Sequence, residues 1–365
     1  MYKTKNNKAI KNQAISNQTA MYNYKITVSY DGMRYSGWQR LSADNSVNNS
    51  ANNSDCIKKK TAPSIAISDK SIANKSIQGI LEAAISQYLG TNTTITGSGR
   101  TDAGVSAIAQ TANFYTSLKL DVKDFPKDIN SLLPEDIIIK AIEPVPLDFH
   151  SRKSAVSKTY GYYIALDSKP DVFAAKHIYN PVLPPIMYNC DGSTPVNICN
   201  CGSPTPANIY NCGSPIPANI CNCGRPISAN IHNCGSPIPA NICNCGNSIP
   251  VNMESMRTAA DFLTGTHDFS AFTTDKTTGK SHVRTINHID FSFINTPSGK
   301  PVLALTINGD GFLYNMVRIM AGTLLCTGLG TIPPKDIPAI LHSGVRKNAG
   351  PTLPPNGLFL LEVLY

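Results

Sequence analysis

Apolar and polar positions along this chain switch repeatedly between a period of two and a helical period. "KITVSY", residues 25–30, puts Ile26, Val28 and Tyr30 on one side of an extended segment, as in a half-buried strand. From Ser76 the run "SIQGILEAAISQYL" changes period. Ile77, Ile80, Leu81, Ala84, Ile85 and Tyr88 form one stripe of a helix, and Ser76 is a good N-cap. "TTITG" ending at Gly97 predicts a short strand and "IAQTANFY", residues 108–115, a longer one. A helix within 121–133 and a strand over 136–142 follow.

The second half repeats this succession. Residues 158–166, "KTYGYYIAL", alternate as a strand, and residues 253–265 predict a helix stopped by Gly265. "INHIDFSFI" and "PVLALTI" predict an antiparallel pair turned by "NTPSGK". Residues 312–328 predict a helix with Leu313, Met316, Val317, Met320 and Leu324 on its core face, and "GLFLLEVLY" a closing strand. The order predicts an α+β fold of two ferredoxin-like α/β halves. Each half is an antiparallel sheet with helices on one face, and a cleft lies between them. The expected domains are 22–150 and 151–365.

Three segments depart from the pattern. Residues 1–21 read as a disordered Asn/Lys-rich tail, with Met21 an alternative start. Residues 41–75 are a polar insert, opening "LSADNSVNNSANNSD", too poor in apolar side chains to offset ordering entropy. Residues 189–249 carry a tandem repeat of period 11, as in "NCGSPIPANIC". Nine of the chain's 11 cysteines sit there. Its Cys-Asn-Cys pairs are closer than structural zinc sites use, and nothing else in the chain suggests an oxidising compartment. We read the repeat as a duplicated loop without chemistry; a short solenoid is the alternative, since each unit carries one Ile. What remains, roughly two-thirds of the chain, suffices for two compact domains.

Charge changes the picture modestly. With 32 Lys+Arg against 24 Asp+Glu the formal charge is +8, which suits RNA or simply a basic cytosolic protein. No apolar run approaches the ~20 residues that span a bilayer, so no membrane association is expected.

The chemistry-bearing stretch is "SGRTDAGVSA", residues 98–107. Glycines 97, 99 and 104 permit a sharply turned loop between two strands. Asp102 there can be an anion acceptor, a base, a nucleophile or only a turn residue. Arg100 can pair with that aspartate or with phosphate. No Lys-Ser/Thr ending marks a phosphate loop of the Walker type.

The loop resembles the active-site motif of the TruA-type tRNA pseudouridine synthases, usually Gly-Arg-Thr-Asp-Ala-Gly-Val-His-Ala. Ser106 stands here in place of the His. "YDGMRYSGWQR", "NSLLPEDI", "DFHSRKSAVSKTYGY", "GTHDFSAF" and "GDGFLYNMVRIMAGTLLCTG" resemble the family too, and in its order. The tail and both inserts fall outside the resemblance; "TLPPNG" departs from the family's Thr-Ala-Pro-Ala run.

The resemblance implies an isomerase that converts uridine to pseudouridine in the anticodon stem-loop of tRNA, at positions 38 to 40. It implies Asp102 as the catalytic carboxylate in the cleft. Arg100 would hold the target nucleotide out of the stack, and Tyr160 would stack on the base. Arg318 would pair with Asp102 and keep it ionised by lowering its pKa. Leu313 and Met316 would line the uracil pocket or simply pack the core. No metal or organic cofactor is implied, since the reaction is an isomerisation. The implied partner is tRNA, and a cytoplasmic homodimer is expected. A tRNA-binding protein without turnover, an RNA chaperone, is the alternative.

Overall fold

The computed structural model describes residues 20–40, 76–167, 171–181, 251–275, 277, 279 and 281–365, with five short strands between 197 and 243. The tail over 1–19 and the polar insert over 41–75 lie outside the described residues.

Strand β1 (Tyr22–Tyr30) buries Ile26 and Val28 completely, as its alternation requires. Helix α1 (Ile77–Leu89) starts where expected: the Ser76 hydroxyl accepts the Gly79 amide at 3.1 Å. It ends at Gly90, whose φ of 67° is left-handed and open to glycine at little cost. Tyr88, assigned to the buried stripe, is 39% exposed; its ring meets Phe125 edge-on, 5.3 Å away, at the rim. Strands β2 (Thr96–Gly97) and β3 (Ser106–Thr116) flank the Gly-Arg-Thr-Asp loop. Helix α2 (Phe125–Asn130) occupies the middle of its expected window, and β4 (Ile137–Val145) follows.

Strand β5 (Ser157–Ala165) opens the second half. Helix α3 (Met253–Leu263) ends as expected, but Gly265 also opens a short strand, β6 (Gly265–Asp268), that periodicity did not show. Strands β7 (Val283–Asn295) and β8 (Pro301–Gly309) pair antiparallel, with Ile294 opposite Val302 and Phe291 opposite Leu305. Helix α4 (Met316–Gly328) begins four residues later than its apolar pattern suggests. The reason is Asn315, whose φ of 61° breaks the helical path before it starts. A further helix, α5 (Ile337–Ser343), was not anticipated, and β9 (Leu358–Leu364) closes the chain.

The chain is α+β. Its strands form a nine-stranded, mostly antiparallel sheet in the order β6-β7-β8-β5-β9-β3-β1-β4, with β2 beside β3. Strands from each half of the sequence stay together. They meet where β9 runs parallel to β3, pairing Phe359 with Ser106 and Leu360 with Ala107. The register then sets Tyr160 of β5 opposite Leu360. The last strand of the chain thus lies between the loop's exit and Tyr160. One contiguous apolar cluster, from Tyr24 to Val363, runs beneath both groups of strands.

The repeat corrects the loop expectation in one respect. Its Asn-Ile steps form short strands at Asn197–Asn200, Asn219–Asn222 and Asn241–Cys243, paired in parallel. Asn208–Asn211 and Asn230–Asn233 form a second parallel pair. The paired strands lie 22 residues apart, so alternate units of the repeat pair with each other.

The Ser76 cap has a measurable consequence. Ser76→Ala should lower unfolding free energy by about 1 kcal/mol in urea titrations, with an unchanged m-value.

Candidate active site

Residues 98–105 leave β2 and return into β3 as a loop held by hydrogen bonds at both its ends and at Thr101 and Asp102. The Ser98 amide donates to the Thr111 carbonyl at 2.7 Å. Its hydroxyl donates to Gln110 Oε1 at 2.6 Å, and Gln110 Nε2 donates to the Gly99 carbonyl at 3.1 Å. The Trp38 amide donates to the Thr101 carbonyl, and Val105 to that of Asp102, both at 3.1 Å. Gly104, at φ 79°, makes the turn.

A second segment, residues 30–38, clasps this loop. The Tyr30 hydroxyl lies 2.8 Å from Thr101 Oγ1, and the Gly32 amide donates to Ser106 Oγ at 3.0 Å. A β-carbon on Gly32 would sit 1.9 Å from the Val105 carbonyl oxygen, so only glycine allows the two segments to close. Ser106, the departure from the family motif, is therefore buried and hydrogen-bonded.

The clasp presents Asp102 at the edge of the buried region, its side chain 21% exposed. Arg318 Nη1 stands 3.5 Å from Asp102 Oδ2. Burial pushes the Asp102 carboxyl up from its ordinary value, and the Arg318 charge and hydrogen bond pull it down; burial acts more strongly. That corrects the expectation of a lowered pKa. The cation offsets part of the desolvation and does not reverse it.

Arg318 sits in the first turn of α4 and is fixed independently of the aspartate. Its Nε donates to the Leu353 carbonyl at 2.6 Å and its Nη1 to Asn315 Oδ1 at 2.7 Å. The left-handed Asn315 that delays the helix is thus also the residue that orients Arg318.

Tyr160 is buried, 7% exposed, with its ring T-shaped against Phe312 at 5.1 Å. Its hydroxyl has no hydrogen-bond partner among the described residues. Burial first, then the charges of Tyr30 and Asp102, raise its pKa, which places Tyr160 in the same electrostatic neighbourhood as the carboxylate. Arg100 is exposed and makes no ion pair among the described residues, so Arg318, not Arg100, faces Asp102. Leu313 precedes α4 rather than lying on it. It is half-buried, packed against the core, as is Phe312.

Tyr30, Gln110 and Asn315 were not singled out from the sequence. Their roles depend on partners 71, 12 and 3 residues away. Tyr30 and Asn315 had a signal, in the family-like strings "YDGMRYSGWQR" and "GDGFLYNMVRIMAGTLLCTG"; Gln110 had none.

Fold and site describe an α+β protein organised around one carboxylate–guanidinium pair in a glycine-built loop. The chain belongs to the tRNA pseudouridine synthase family, whose sequence profile matches residues 65–152 and 259–365. Arg100, Asp102, Leu313 and Arg318 lie inside the matched segments, and Tyr160 lies between them. The chain is 31% identical over 345 residues to tRNA pseudouridine synthase A of Caldicellulosiruptor saccharolyticus, covering 94% of this chain and 100% of that one. It is 33% identical to tRNA pseudouridine synthase A 2 of Clostridium tetani, covering 94% and 98%. With tRNA pseudouridine synthase A of Bacillus subtilis it shares 32% over 74% of this chain and 81% of that one.

Closure of the clasp predicts that Gly32→Ala lowers the melting temperature by several degrees. The same change should cut activity more than a surface Gly90→Ala control, which meets nothing within 4 Å and tests only backbone strain.

Proposed function

We propose that this protein isomerises uridine in tRNA to pseudouridine, and that Asp102 is the carboxylate that acts on the target nucleotide. The observation carrying this reading is the Asp102–Arg318 pair, set in the motif loop inside a chain of this family. Its reaction breaks the N1–C1′ bond, turns the base, and joins C1′ to C5. The C5 proton is lost and N1 gains one, so no atoms are gained or lost overall. A carboxylate can serve by covalent attack or by carrying a proton. A half-desolvated carboxylate beside a fixed guanidinium suits either task.

A base stacked in RNA is out of reach of such a carboxylate, so the nucleotide must be flipped out at a cost of a few kcal/mol. Arg100, exposed and making no ion pair among the described residues, would fill the vacated space or bind phosphate. Tyr160 is the aromatic surface for the base, with a hydroxyl available for the proton at C5. Leu313 would bound the uracil on its apolar side.

The two groups of strands that meet at β9 and β3 support an organisation in two ferredoxin-like halves, 22–150 and 151–365, with the site at their seam. We place the target uridines in the anticodon stem-loop, at positions 38 to 40, and the enzyme in the cytoplasm as a homodimer. Among the described residues no helix is long and apolar enough to cross a membrane. The chemistry needs no metal or organic cofactor.

Release of tritium from C5-labelled uridine in tRNA tests the reading. Wild type should release label, and Asp102→Asn should lower the rate about a thousandfold or more while tRNA still binds. Binding without release by wild type would leave an RNA chaperone as the function. Arg318→Met removes what pulls the Asp102 carboxyl down, so burial alone remains. If activity needs the ionised form, the acid limb of the pH–rate profile should move to higher pH.

A further inference from the structure

Lys158 lies two residues before Tyr160 on β5, so both side chains leave the same face of the sheet. Its ammonium donates to the Ser98 carbonyl at 2.8 Å. A β-carbon on Gly99 would come within 3.0 Å of Nζ, so the amine rests against the loop backbone itself. The two carbonyls that precede Arg100 are therefore each held from outside. Lys158 holds Ser98 from the second half of the chain, and Gln110 holds Gly99 from β3.

No carboxylate pairs with Lys158 among the described residues. A largely buried ammonium normally has one, because a carbonyl dipole offsets desolvation less well than a full negative charge. Burial, then the Arg152 and Arg284 charges, lower its pKa to about 8. A cation kept in such a place at this electrostatic disadvantage marks a functional position.

We propose that Lys158 is a positioning residue for pseudouridine formation: through the Ser98 carbonyl it sets the root of the loop that carries Asp102. The inference rests on the function proposed above. A carboxylate must be held within about 0.5 Å of its productive place, and an unanchored loop root four residues away would not do so. The bond also ties the loop to the strand of Tyr160.

Steady-state kinetics of wild type, Lys158→Ala and Lys158→Arg test this. Wild type comes first: its inactivity would defeat the proposed function and this inference with it, whereas an active wild type leaves the variants to test the inference alone. For Lys158→Ala we expect kcat to fall about 30- to 100-fold with KM for tRNA within about threefold. Added propylammonium should restore part of kcat in a saturable way, which a general loss of stability would not allow. A kcat within twofold of wild type overturns the proposal. So does a loss confined to KM with a shallower salt dependence of binding, which would make Lys158 a phosphate ligand. Should Lys158→Ala not fold, Lys158→Arg decides. It keeps a charged donor, so kcat should stay within about fivefold of wild type, and a folded but inactive Lys158→Arg overturns the proposal.

Discussion

A carboxylate drawn out of water is unstable unless something replaces its hydration, and Asp102 is such a group. Its burial raises its pKa, and Arg318 at 3.5 Å supplies the compensation that keeps the charged form accessible. Arg318 can do so because Leu353 and Asn315 hold it in place whether or not the aspartate is charged. The field at the carboxylate is therefore built into the fold.

That field requires two distant parts of the chain to meet within a few ångströms. The pairing of β9 with β3 brings this about, since β9 also pairs with β5 and so joins the strand that leaves the loop to the second half of the chain in one sheet. The clasp of residues 30–38 then sets the loop's height above the sheet. It relies on the missing side chain of Gly32 and on small polar contacts from Tyr30 and Ser106. Where the resembling motif has a histidine, the serine here accepts a hydrogen bond from the Gly32 amide.

The repeat between β5 and α3 disturbs none of this. Strand β5 keeps both its neighbours, β8 and β9, and the helix resumes at Met253 with a regular Asn252 cap. Closing a longer connection costs entropy only as the logarithm of its length. An insertion joined to the fold at two chain ends is thermodynamically cheap. The family's matched segments accordingly fall on either side of it.

Local pattern was enough for most strands and helices, and for Ser76 as a cap, because period and capping involve neighbours within a few residues. The motif loop and its aspartate were legible for the same reason: glycines and charges stand side by side at 97–104. Asn315 shows the limit. Apolar spacing runs through it without a break, yet its backbone is left-handed and the helix starts after it, with its side chain bonded to the distant Thr274 as well as to Arg318. The direction of the Asp102 pKa was likewise beyond the sequence, since it depends on the balance of burial against one guanidinium. The sequence by itself determined which side chains could do chemistry and the order of elements carrying them. Tertiary structure alone decided which cation faces the carboxylate and how much water each keeps, because distance and dielectric belong to the folded chain.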